Sequence, residues 1–176
     1  AQLKNLFNDF EFRDSVRLSA VNSINWARVL AQVVYYFFSA VSLGAPDRKI
    51  SFTVPTGNFG DVFAGYIAKQ MGLPIDRLIV ATNQNDILHR CLDTGTYRKN
   101  KVLQSYSPSM DIQVSSNFER ALFDAHDRDG KAVCEVMAEL KEKGVFTLSE
   151  VILAHLKQHF SSGSVSEQQT LEKIQD

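Results

Sequence analysis

The chain has 176 residues, 44% hydrophobic and 22% charged, which suits one globular domain, or one domain with a small appendage. Its 19 basic and 20 acidic residues leave a formal net charge of −1 and form no basic stripe, which argues against binding nucleic acid through its phosphates. The two cysteines, Cys91 and Cys134, stand in unrelated contexts, so a disulfide scaffold is not expected and free thiols in a cytoplasmic setting are.

In chain order, residues 1–7 read as the end of a helix and 8–17 as a polar connection carrying Phe10 and Phe12. Residues 22–43 read as a long helix. Asn22 or Ser23 is placed to cap it, and Ile24, Ala27, Leu30, Ala31, Val34, Phe37, Phe38 and Val41 follow the helical period. Val33, Tyr35 and Tyr36 make it apolar nearly all round, which predicts burial on more than one face. Its apolar run, 29–41, is broken by Gln32 and Ser39 and is too short to cross a bilayer, so no membrane partner is expected. Nor do Gln2, Lys4 and Asn5 form the charged-then-apolar opening of a leader.

After Gly44 and Pro46, residues 50–54 read as a strand, 59–71 as a helix closed by Gly72 and Pro74, and 77–82 as a second apolar strand. Strands this uniformly apolar predict a sheet covered on both faces, and strand–helix–strand order predicts a parallel pair with a right-handed crossover. Residues 85–92, 116–125, 131–143 and 148–160 read as further helices, with Ser115 and Ser116 as candidate caps and Glu119 partly completing a capping box. Residues 161–176 read as a linker and a weak helix. The expected fold is α/β: a parallel-sheet βαβ core over 1–114, then a mostly helical segment over 115–176.

The most informative stretch is Val54-Pro55-Thr56-Gly57-Asn58-Phe59-Gly60-Asp61, between an apolar strand and a helix. Ligands of open α/β sheets sit at such carboxyl ends. Glycines at 57 and 60 permit close approach and positive φ, and the unpaired amides of a helix start favour an anion such as phosphate. A plain glycine turn capped by Asp61 stays open as the alternative. Asp61 also argues against a bare anion hole, because its carboxylate must turn away or pair. No metal pattern is present: His155 and His159 are spaced i, i+4 but lack a third ligand.

That stretch, with Ala64-Gly65-Tyr66-Ile67-Ala68-Lys69 after it, resembles the phosphate-binding segment of threonine synthases. Three more blocks agree in order: Val21-Asn22-Ser23-Ile24-Asn25-Trp26-Ala27-Arg28, Ala81-Thr82-Asn83-Gln84-Asn85-Asp86-Ile87-Leu88, and the run from Ser107 to Arg120. The resemblance implies a fold type II, pyridoxal 5'-phosphate enzyme that converts O-phospho-L-homoserine and water to L-threonine and phosphate. By resemblance, Gly57, Asn58, Phe59, Gly60 and Asp61 hold the cofactor's phosphate. Ser23, Asn25, Arg28, Asn83, Asn85 and Asp86 are candidates for the substrate, with helix caps and surface charge as the alternatives for them. The family's Schiff-base lysine matches no lysine of this chain, so no catalytic residue is assigned. The chain is expected to be a middle fragment that needs the remainder of its enzyme. A phospho-lyase acting on another amino-acid phosphate, or a non-catalytic binding module, are the competing expectations.

Overall fold

The computed structural model describes residues 2–19 and 24–175; the candidate caps Asn22 and Ser23 lie outside them. Two short helices come first, α1 (Gln2–Asn8) and α2 (Phe10–Ser15). The second lies where a polar connection was expected. Asp9 caps it by accepting from the Phe12 amide at 3.0 Å.

Helix α3 (Trp26–Ser42) begins later than its apolar pattern suggested, because Asn25 is the cap: its side chain accepts from the Ala27 amide at 2.9 Å. Only one stripe is buried, Val29, Val33, Tyr36 and Ala40. Leu30, Val34, Phe38 and Val41 are exposed, so the expected burial on several faces is not found among the described residues.

Strand β1 (Ile50–Pro55), helix α4 (Gly60–Gln70) and strand β2 (Ile75–Thr82) form the expected unit, with the strands parallel and Val54 paired to Val80. Strand β1 has exposed residues at Ser51, Thr53 and Pro55, so the sheet is not covered on both faces here. Helix α4 packs on α3 at Gly65, where an added Cβ would lie 2.6 Å from the Tyr36 ring and 2.8 Å from Leu78.

Helix α5 (Ile87–Thr94) stops at Gly95, in the left-handed conformation, and leads into β3 (Thr96–Arg98). A 3-10 turn (Pro108–Met110) precedes α6 (Phe118–Ala125) and α7 (Gly130–Lys143). Strand β4 (Val145–Thr147) pairs antiparallel with β3, and α8 (Glu150–His159) follows. Strand β5 (Phe160–Ser164) adds parallel to β2, giving the sheet order β1-β2-β5, before α9 (Glu167–Gln175) closes the described chain. The residues expected as a linker are therefore a strand, and segment 115–176 contributes to both sheets. Aromatic rings join the parts: Phe59 meets Phe118 and Phe160 edge-on at 5.2 Å each, and Tyr97 stacks between Phe118 and Phe146.

Candidate functional site: an amide cup at the carboxyl end of the sheet

Strand β1 hands over to α4 through 56–59. The Thr56 amide still donates to the Ala81 carbonyl at 2.8 Å, extending the ladder one residue, and then the chain turns out. The residue that enters the left-handed region is not a glycine. Phe59 has φ 63 and ψ 0, whereas Gly57 and Gly60 do not have positive φ. A non-glycine residue pays for that conformation, and the Phe59 ring, 1% exposed between Phe118 and Phe160, offsets it by burial.

Gly57 is needed for a different reason. A Cβ on it would lie 2.8 Å from the Ser109 carbonyl oxygen, so the 3-10 turn can close on the loop only where there is no side chain. The carbonyls of the loop are held from one side. The Ser115 hydroxyl donates to Gly57 O at 2.8 Å, and both the main-chain and side-chain nitrogens of Asn117 donate to Asn58 O at 3.0 Å. Ser115 thus does not cap α6. Asn117 occupies the cap position without a side-chain cap bond, so the expected capping box with Glu119 is not formed.

The amides are left free. From 57 to 62, none donates to an acceptor among the described residues; the first helical bond is Phe63 N to Phe59 O, at 3.0 Å. Successive N–H groups around a left-handed residue at a helix start make a concave anion site, reinforced by the helix dipole. They line an open pocket of about 320 Å³ whose other walls are Arg28 and Gln32 of α3, with Ser109 and Met110 of the turn. The Arg28 guanidinium makes no hydrogen bond or ion pair among the described residues, so its charge is available to the pocket. The buried Oε1 of Gln32 likewise has no partner.

Asp61 stands at the rim. Burial raises its carboxyl above the ordinary aspartate value, and the nearby Tyr36 hydroxyl opposes the shift; the same hydroxyl donates to the main-chain carbonyl of Asp61 at 2.9 Å. Burial first, and then the Asp61 charge, keeps Tyr36 protonated well beyond its ordinary range.

Asn25 is engaged in capping α3. Asn83 and Asn85, expected to face the ligand, are 4% and 3% exposed and turned inward. Asn83 Nδ2 and Asn85 Nδ2 each reach Asp111 Oδ1 at 2.9 Å, and Asn85 exchanges two hydrogen bonds with the Leu103 backbone. Asp111 also takes the Ser105 hydroxyl at 2.6 Å; that bond is the main reason its carboxyl is held below the usual range. This network pins 103–111, and so sets the turn against Gly57. Asp86 pairs with Arg90 at 2.8 Å. None of Asn83, Asn85 and Asp86 lines the pocket.

Ser109, Met110, Ser115, Asn117 and Gln32 were not singled out for the site by their sequence. The signal available was the polar run from Ser107 to Asn117. A larger groove of about 780 Å³ lies between α4 and α6, but its principal polar side chains are already paired, Tyr66 with Asp124 and Arg120 with Asn117. Among the described residues no cluster of side chains is arranged to hold a metal ion, and no helix is long and apolar enough to cross a membrane.

No family model matches the chain. It is 54% identical over 172 residues to the threonine synthase of Pseudomonas aeruginosa, covering 98% of this chain and 37% of that protein. A PLP-bound threonine synthase from Brucella melitensis, solved by X-ray crystallography, superposes with a TM-score of 0.89 at 62% identity, over 93% of this chain and 35% of that one. The yeast threonine synthase structure gives 0.87 at 45% identity, over 97% and 35%. The chain thus spans a little over a third of the length of its relatives, 37% of the bacterial enzyme. Over the residues it shares with them, it belongs to the threonine synthase family.

Proposed function

We propose that this chain supplies the cofactor-phosphate cup of a threonine synthase. In the whole enzyme, the phosphate of pyridoxal 5'-phosphate is held by the amides of Gly57, Asn58, Phe59 and Gly60, joined by that of Asp61. The row of unpaired amides carries the reading, because successive main-chain donors that face one pocket with no acceptor from the described chain suit an anion, which satisfies them together. The bound cofactor supplies the electron sink for converting O-phospho-L-homoserine and water to L-threonine and phosphate.

The chain's own residues bind and orient. The cup fixes the anion, Arg28 faces it with a planar set of donors suited to the substrate's phosphate, and the pinned turn closes one side. No lysine lines the pocket. Lys69 sits in the last turn of α4, with Nζ donating to the Asp76 carbonyl at 3.1 Å. The lysine that moves protons therefore comes from the remainder of the enzyme, which is this chain's first partner. A cytoplasmic location belongs to the same proposal and accords with free thiols at Cys91 and Cys134.

Assaying the relative-length protein with O-phospho-L-homoserine tests the proposal. Equal release of threonine and phosphate is expected. Release of phosphate without threonine would favour the phospho-lyase alternative, and release of neither would refute the assignment.

A further inference from the structure

We propose that Arg120 is a positioning residue: it sets the direction of the cup's amides through Asn117 and ties the cup to the start of α3. The proposal rests on the phosphate-cup reading above.

In a trans peptide the carbonyl and the following N–H point in opposite directions, and among the described residues the one cis bond is Ala45–Pro46. Ser115 draws the Gly57 carbonyl toward α6, so the Asn58 N–H points away from α6. Asn117 draws the Asn58 carbonyl the same way with two donors, so the Phe59 N–H also points away, on the pocket side. The main-chain bond holds in either case, so it is the second, side-chain grip on the Asn58 carbonyl that depends on which end of the Asn117 amide faces the loop.

Arg120 decides that. Its Nε donates to Asn117 Oδ1 at 3.0 Å, which turns Nδ2 toward the loop. With the amide reversed, an oxygen would meet the Asn58 carbonyl and Arg120 would face a second donor. Asn117 is 1% exposed, so water cannot substitute for either bond. The same guanidinium donates from Nη2 to the Ile24 carbonyl at 2.7 Å and lies 5.5 Å from the Trp26 ring centre. Ile24 and Trp26 flank the α3 cap, one turn before Arg28 in the opposite wall. One planar fork thus registers both walls of the pocket, a task for which lysine lacks the geometry.

The test uses the relative-length enzyme and reads pyridoxal phosphate affinity by absorbance and the 31P linewidth of its bound phosphate. Arg120→Ala is expected to weaken binding about tenfold, the loss of roughly one hydrogen bond to a charged group, and to broaden the 31P line. Added guanidinium should restore both, and Arg120→Lys should fall between wild type and Arg120→Ala without responding to guanidinium. Wild-type affinity and linewidth in Arg120→Ala would overturn the proposal, as would a loss that guanidinium does not repair. Should Arg120→Ala fail to fold, Arg120→Lys decides alone, and wild-type affinity there overturns it. If the unaltered enzyme does not bind pyridoxal phosphate, the cup reading fails and takes this proposal with it. If it binds and the Arg120 variants match it, this proposal alone fails.

Discussion

Gly57 and Phe59 divide between them what a glycine-rich phosphate loop usually assigns to glycine. Gly57 provides the empty space under the Ser109 carbonyl, and Phe59 provides the left-handed turn, held by its buried ring. Gly57→Val should therefore push the 3-10 turn off the cup and lower phosphate affinity more than tenfold. Visible absorbance of the cofactor after dialysis of the relative-length protein checks this, and absorbance equal to wild type contradicts it. Asp61 gives a pH dependence of definite sign. Its folded pKa is raised, so its contribution to stability is largest below the ordinary aspartate value and is lost as pH rises through the raised one. Asp61→Asn should thus gain thermal stability relative to wild type over the pH range that begins at the ordinary aspartate value and runs upward from it. A melting-temperature difference that stays flat or falls over that range would count against it. The glycine loop was legible because strand, glycines and helix are contiguous. Ser115 and Asn117 were not: polar residues before a helix look like caps, and their bonds reach a loop 58 and 59 positions away.

Helix α4 owes its place to Gly65 as much as to its apolar residues. An added methyl there would enter the Tyr36 ring and the Leu78 side chain, both parts of a close-packed core. Gly65→Ala should cost about 1–3 kcal/mol despite the better helix propensity of alanine. Urea denaturation measures it, and a stabilised variant would show that α3 and α4 are not packed as described. The apolar strands and the α4 period were readable because composition and spacing agreed. Strand β5 was not, since Ser-Ser-Gly-Ser carries no β preference and is a strand by virtue of pairing with β2. The late start of α3 has a similar origin: apolar residues continue the helical period upstream, but the Asn25 side chain terminates the helix by accepting from Ala27.

Across the whole molecule, the cup stands at the carboxyl end of the β1-β2-β5 sheet while α3 turns an apolar stripe outward: Leu30, Val34, Phe38 and Val41, the last three 61%, 75% and 61% exposed. A contiguous stripe of this kind is a recognition or aggregation surface. Produced by itself, the chain should self-associate, and Phe38→Glu should shift it toward monomer. Light scattering after size-exclusion chromatography checks both, and a monomeric parent at high concentration would contradict the expectation. Anion binding by the cup can be examined in the same preparation, because every donor assigned to it lies within this chain. Amide chemical shifts followed by 1H–15N NMR during titration with inorganic phosphate should move saturably downfield at Gly57, Asn58, Phe59 and Gly60, with the rest of α4 beyond its first turn unmoved. Phosphate that leaves those four amides in place, or shifts only scattered surface lysines and arginines, would contradict the account.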